Sequence, residues 1–538
     1  MKRFSSFSTH GMRHGGSGMV ARPRTGGGPS LVLSLWLSAC LCLSACAPAA
    51  RPVPPAAAVS PPAHWREQAG AQRTIAPDWW RGFGDPALDD YVRRALANNT
   101  DILSAVSQVE QARANVAVAR AALFPSVSAD LGASRSRSLG DFGVSAANSI
   151  QPELTLSWQT DLFGRLRDQQ RAARNQFAAS QADRDGVRLS VASQVAQAYF
   201  TLVALDTKLL VTRETIQTRL ASLKLAQDQT ALGYTSQYEL TQAQSEYESV
   251  LGQEPELLRG IRNAENALSL LCGEAPAAAL ARGGLQEIAT PDVPAALPSR
   301  LLRRRPDLVA AEYRIAAADA SLADQRAAFL PSVSFSASFG QLFVDALRYN
   351  PVTVWTLGGS VLAPIFNAGN LRANVDIATA ERDQAAFSYR GTALTAFRDV
   401  ENALTDVRRY GEQIEIVKRR RATLIRSLAL ATDRYRGGYA TYLDQLDAQR
   451  NLYSTEVEAI GIRQSQLQAI VQLYVAFGGG WGEPTPQTAA GDAGSGRVSG
   501  DTSGGTSGGT SGGTSEVTSG VGSGATSGTA AAAASDAM

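Results

Sequence analysis

Two distant segments of this chain are nearly the same: Ala122–Gly132 reads ALFPSVSADLG and Ala328–Gly340 reads AFLPSVSFSASFG. Later landmarks recur at a matching offset of about 205 residues, Gly233-Tyr234 with Gly438-Tyr439 and Ala243-Gln244 with Ala448-Gln449. Each half therefore runs through one programme: a helix, two alternating strands, then two very long helical passes. The chain is two copies of one elongated unit, and its function has to make use of that elongation.

The 51 basic and 49 acidic residues nearly cancel, so no polyanion-binding field is implied and no nucleic-acid partner is expected. Arg22 and Arg24 precede the apolar run Leu31–Leu43, too short for a bilayer span and suited to a signal-peptide core. That run ends in Leu43-Ser44-Ala45-Cys46, which looks like a bacterial lipobox whose cysteine becomes the lipid-bearing first residue; Cys40 closes a second copy upstream. Cys46 is favoured because it leaves the longer apolar core, and Ala47 permits sorting to the outer membrane; an unlipidated leader is the plainer alternative. Translation starts at Met1 or Met19. After processing at Cys46 the remaining cysteine is Cys272, within a helical pattern and expected to be a small core residue. No later segment has enough consecutive apolar residues for a spanning helix, so any crossing of a membrane has to use strands.

The expected organisation is a leader at 1–46, a Pro/Ala-rich tether at 47–76, a duplicated body at 77–485 and a disordered Gly/Ser/Thr/Ala-rich tail at 486–538. Strands are expected near 123–137, 150–163, 330–345 and 353–366. In the first, Val127, Ala129, Leu131 and Ala133 alternate with Ser126, Ser128, Asp130 and Ser134; the other three alternate in the same manner. One apolar and one Ser/Thr face suits a transmembrane barrel with a wet lumen, although a soluble sandwich alternates equally well. The helices favour the barrel. Arg165 to Leu232 contains Gly186 and no proline, enough for an almost unbroken helix of about 100 Å, and Asn370 to Arg436 is its counterpart. Pro255 should kink one return pass. Four strands are too few to close a barrel, whereas three chains sharing one barrel supply twelve.

Several motifs then acquire a common meaning. The run Trp79-Trp80-Arg81-Gly82-Phe83-Gly84-Asp85-Pro86-Ala87-Leu88, with Asp161-Leu162-Phe163-Gly164-Arg165, Leu302-Arg303-Arg304-Arg305-Pro306-Asp307 and Gly478-Gly479-Gly480-Trp481, resembles outer-membrane efflux lipoproteins of the TolC type, in the NodT/RND channel branch. The resemblance covers about Asp78 to Trp481. It implies a mixed α and β fold: a homotrimeric twelve-stranded barrel in the outer membrane, continued by a helical barrel across the periplasm. It also implies an exit duct for small molecules, partnered by a periplasmic adaptor and an inner-membrane pump, here of RND type.

In that family the two helix-reversal tips meet the adaptor and close the channel, which assigns Gly233, Tyr234, Gly438 and Tyr439 to adaptor contact. The same resemblance makes Tyr435, Asp444, Asp447 and Glu239 the periplasmic gate. Carboxylates tripled around an axis would repel, rise in pKa and attract cations. Ala440 stands where some members carry a pairing basic residue, leaving Arg434 or Arg436 nearby. Against this, an acid just after a glycine turn is also what a helix N-terminus favours, and a tyrosine near a helix end commonly just packs. Catalysis finds no parts: His64 is the one histidine after the leader, no lysine follows a glycine as a phosphate loop requires, and neither metal nor cofactor is expected beyond lipid on Cys46. The competing reading is a lipid-anchored periplasmic coiled-coil protein without a pore.

Overall fold

The computed structural model describes residues 52–67, 75–140, 143–276, 281–292, 298–345 and 351–480. The leader with Cys40 and Cys46, the expected tail and Trp481 lie outside them. Helices α1 (Pro86–Asn98) and α2 (Thr100–Ala121) lead into β1 (Ser126–Gly140) and β2 (Gly143–Thr160). Then come α3 (Arg165–Ala231), α4 (Gln237–Leu251) and α5 (Gln253–Leu271). The second half repeats the order with α6 (Pro298–Arg304), α7 (Pro306–Ala327), β3 (Ser332–Val344), β4 (Val352–Leu362), α8 (Asn370–Arg436) and α9 (Tyr442–Ala476).

The four strands form one antiparallel sheet in the order β1-β2-β3-β4. Register keeps the alternation in step across it: Val127 faces Leu156, Leu156 faces Ala337, and Ala337 faces Leu357. The neighbouring row is Ala129, Leu154, Phe339 and Trp355. This face is uncovered, with Leu131 74 %, Trp355 72 % and Leu357 76 % exposed. The opposite face carries Ser128, Thr155, Ser338 and Thr356 in one row. Gly340 is required where β3 meets β2, because a Cβ there would lie 2.4 Å from the Pro152 carbonyl oxygen.

α3 and α8 are each 67 residues long, about 100 Å at 1.5 Å per residue. Both start after a left-handed glycine, Gly164 (φ 83°) and Gly369 (φ 84°), at equivalent points of the repeat. Asp161 closes the first start by accepting from the Leu166 amide at 3.1 Å and the Arg167 amide at 3.0 Å. α3 also contains a stretch long and apolar enough, by length and composition, to cross a membrane, although charged and polar residues interrupt it. Half of that stretch is buried inside the protein, where Val195, Ala196, Tyr199, Phe200 and Leu202 of α3 lie in the main core with Leu467, Ile470 and Val471 of α9.

Several details depart from the sequence expectation for physical reasons. The first helical stretch is broken at Asn99, whose side-chain oxygen caps α2 through the Asp101 and Ile102 amides at 2.9 and 3.2 Å. Its amide donates to the Leu271 carbonyl at 2.9 Å, so the break is held by a residue 172 positions away. The first return pass divides at Gly252, one turn before Pro255, because proline has no N–H for the carbonyl four residues earlier. Residues 52–67, within the expected Pro/Ala-rich tether, lie along α8. Arg382 donates to the Pro52 carbonyl at 3.3 Å, Arg390 to that of Ala56, the Arg66 amide donates to Glu401 at 3.1 Å, and Arg408 pairs with Glu67. Trp65 is buried between Phe397 and Phe477, with ring centroids 6.3 and 6.4 Å away.

The motif residues turn out to be packing devices of this belt. Asp85 caps α1 through the Ala87 amide at 2.8 Å and accepts the Tyr199 hydroxyl at 2.6 Å. Trp79 is stacked on Tyr474 at 5.2 Å. Arg305 is clamped between Asp307 at 2.7 Å and Asp399 at 3.2 Å. Gly478, Gly479 and Gly480 all have positive φ, and a Cβ on Gly479 would sit 2.2 Å from Leu189 Cδ1.

Candidate functional site at the helix tips and the sheet

The two helical hairpins reverse at equivalent positions. In the first, Gly233 (φ 77°) ends α3 and Ser236 caps α4 by accepting from the Glu239 amide at 3.3 Å. In the second, Gly438 (φ 75°) follows α8 and Thr441 caps α9. A left-handed residue lets each helix turn back at once without a Cβ clash. Tyr234 and Tyr439, each 81 % exposed, project from the two tips as a matched pair.

The structure brings the two hairpins together just above those tips. Leu223 and Ala226 of α3, Ala243 of α4, and Tyr442 and Leu446 of α9 form a small core of their own, against which Tyr435 packs. The Tyr435 ring lies 5.9 Å from Tyr442, and its hydroxyl donates to Gln229 at 3.0 Å. Burial, seconded by the charge of Glu239, pushes the Tyr435 phenol up, so it stays a proton donor at neutral pH.

Asp444 occupies the third position of α9 and closes a capping box. It accepts from the Thr441 amide at 2.9 Å and the Thr441 hydroxyl at 2.8 Å. These bonds, hydroxyl first, hold its carboxyl below the usual aspartate range. Within one chain this reverses the direction expected from a ring of repelling carboxylates, because the hydrogen bonds favour the ionised form. Glu239 accepts from Thr235 in the first tip. Asp447, 59 % exposed, lies 3.6 Å from Arg450.

Arg450 also pairs with Glu246 of the first hairpin, making it the basic residue that links Asp447 to the neighbouring hairpin. Neither Arg434 nor Arg436 pairs with Asp444 among the described residues; Arg434 contributes only through its charge. The three-residue spacing of Asp447 and Arg450 carried that signal in the sequence. Arg219 was not legible at all. It is 2 % exposed between α3 and α9, donates to Gln449, and has a buried Nε without a hydrogen-bond partner. Burial pulls its guanidinium down against the charge of Glu246.

A second feature lies on the Ser/Thr face of the sheet. Asp130 and Glu153 are direct cross-strand partners there, Asp130 held by Ser128 at 3.2 Å and Glu153 by Gln151 at 2.9 Å. Two carboxylates facing each other on a polar sheet face require water or cations beside them. Among the described residues no cluster of three or more metal-ligating side chains occurs.

The profile of the outer membrane efflux protein family matches residues 91–274 and again 297–479, once for each repeat. The chain belongs to this family. It is 36 % identical over 462 residues to the pyoverdine export outer membrane protein OpmQ of Pseudomonas aeruginosa, covering 83 % of this chain and 96 % of that relative. It is 34 % identical over 447 residues to the probable efflux pump outer membrane protein TtgC of Pseudomonas putida, covering 81 % and 92 %. The CmeC outer membrane channel of Campylobacter jejuni superposes with a TM-score of 0.71 at 27 % identity, over 81 % of this chain and 94 % of that one. The protein is therefore an outer-membrane efflux channel of TolC-like fold, extending into the periplasm. On that footing the uncovered apolar face of the sheet is the surface that meets lipid, and the Ser/Thr face with Asp130 and Glu153 lines the wet interior.

Proposed function

We propose that three copies of this chain assemble into one passive duct. They close a twelve-stranded barrel, and their helices enclose a channel across the periplasm. Small molecules delivered by an inner-membrane transporter of the RND type, through a periplasmic adaptor, leave the cell along it. The observation that carries this reading is the four-stranded sheet itself. It has one lipid-compatible face, one polar face, and two edges, β1 and β4, left unpaired among the described residues. Backbone polar groups in hydrocarbon have to be paired, and symmetric closure pairs every edge. No catalytic step is assigned; the work is done by the pump. Relatives described by export of pyoverdine or as efflux pump components support small-molecule cargo.

The tips serve as gate and adaptor contact: Tyr234, Tyr439 and the glycines beneath them, Gly233 and Gly438, outermost, and Tyr435, Asp444, Asp447 and Glu239 behind them. Lipid on Cys46 anchors the chain. Followed back from Glu67 to Pro52, this segment climbs α8 toward its first residue, and Arg382, beside Pro52, lies about 18 Å from that end at 1.5 Å per residue. Five residues lie between Cys46 and Pro52, a reach of at most about 20 Å, enough to put the lipid at the membrane surface.

Purified protein in planar bilayers tests the reading. A trimer that conducts ions supports it, and an elongated soluble species without conductance replaces it with a structural coiled coil. Within the duct, D444A with D447A should raise conductance and weaken block by cations; no change in either removes these residues from the gate.

A further inference from the structure

The register of β1 against β2 is unbroken from Ser126↔Ser157 to Gly140↔Gly143, so every odd residue of β1 points to the same side. On that lipid-facing side the order is Val127, Ala129, Leu131, Ala133, Arg135, Arg137 and, last, Leu139. The apolar rows of the sheet run from Thr160, Val333 and Val361 at the helix-proximal end to Ala133, Ile150 and Phe343 at the far end. Ten residues of β3 separate the two rows, about 34 Å along the strand and about 26 Å along the axis at a tilt of about 40°. That is the usual height of a lipid-facing band, which sets the row of Ala133, Ile150 and Phe343 at the outer interface.

Arg135 stands one outward row beyond Ala133 and Arg137 two, about 7 Å and about 14 Å further along the strand. Both are exposed, and neither has an ion-pair partner among the described residues. Asn148 lies opposite Arg135, and the nearby carboxyl of Asp345 is engaged by the Asn148 amide at 2.9 Å and its side chain. Ser134 and Ser136, on either side of Arg135, point the other way. Two unpaired guanidinium groups on the lipid side, at headgroup depth, fit phosphate oxygens, which they can hold through paired N–H donors. We propose that Arg135 and Arg137 form a binding site for the phosphate headgroups of anionic lipid in the outer leaflet, fixing the depth of the barrel.

The proposal rests on the duct reading for the direction of this face, so its test does not use a current. Full-length protein is reconstituted in vesicles of phosphatidylcholine with or without phosphorylated lipid A, re-extracted, and the lipid A retained per chain is counted by mass spectrometry. Retention should fall at least fivefold in R135Q/R137Q and persist in R135K/R137K. It should also persist in R419Q/R426Q, which removes the same charge from exposed helix positions. Inorganic phosphate at millimolar concentration should not displace the lipid. Equal retention by R135Q/R137Q, equal loss in the helix variant, or displacement by inorganic phosphate overturns the site. If R135Q/R137Q does not assemble, the wild type carries the decision: no more lipid A retained than phosphatidylcholine also overturns it. A wild type that retains lipid without conducting removes the duct and leaves the lipid site standing.

Discussion

The Tyr435 hydroxyl of α8 donates to the Gln229 side chain of α3 at 3.0 Å, joining the two repeats a few residues above their tips. Tyr435→Phe keeps the ring against Tyr442 and removes only this link. A neutral hydrogen bond contributes about 1 kcal/mol, so the closed-to-open balance should shift about fivefold per chain toward open. Single-channel recording measures it; unchanged open probability would make Tyr435 a packing residue alone.

The Asp444 carboxyl lies below its ordinary range, so the cap it forms is present above the unfolded value and is lost as pH falls through the folded one. Closed-state conductance should stay flat down to about pH 4 and rise only below it. A rise beginning nearer pH 6 would mean that repulsion among carboxylates of neighbouring chains outweighs the Thr441 bonds.

Asp130 and Glu153 face each other on the polar side of the sheet. D130N/E153Q should reduce the preference for cations over anions, read as the reversal potential in a salt gradient, while leaving assembly intact. An unchanged reversal potential would place the selectivity elsewhere, at the tips.

Gly479 has φ 68° and no room for a methyl group beside Leu189, whereas Gly391 lies in α8 with nothing within 4 Å of an added Cβ. G479A should destabilise the protein by about 2 kcal/mol or more. G391A should stabilise it by about 0.5–1 kcal/mol. Thermal unfolding of the two variants should move in opposite directions.

Cys272 is 1 % exposed, and burial pushes its thiol up to about 11. Maleimide should leave it unmodified at pH 7 to 8 in the native protein and label it promptly in denaturant. Rapid native labelling would show that the α5 end opens readily.

Long helices and strand parity could be read in advance because they are local. The starts of α3 and α8 follow from Gly164 and Gly369, and the apolar face of each strand from its period of two. β2 nonetheless begins at Gly143, well before the alternation becomes apolar near Ile150, because ladder bonds to β1 hold Ser145 to Asn148 in strand form whatever their side chains. At the tips, the turn glycines and the acids beside them were legible and the partners of the tip residues were not. Thr441 binds Asp444 within its own turn, yet Gln229, Glu246 and Gln449 reach Tyr435, Arg450 and Arg219 from the other hairpin.

Periodicity, glycine placement and the duplication were enough to establish two elongated units with an amphipathic sheet, since each is set by neighbours a few positions apart. Side-by-side packing of the hairpins, the burial of Arg219, the docking of residues 52–67 on α8 and the break at Asn99 were settled only in three dimensions. Each joins groups far apart along the chain, and such contacts depend on which surfaces meet once the helices have formed.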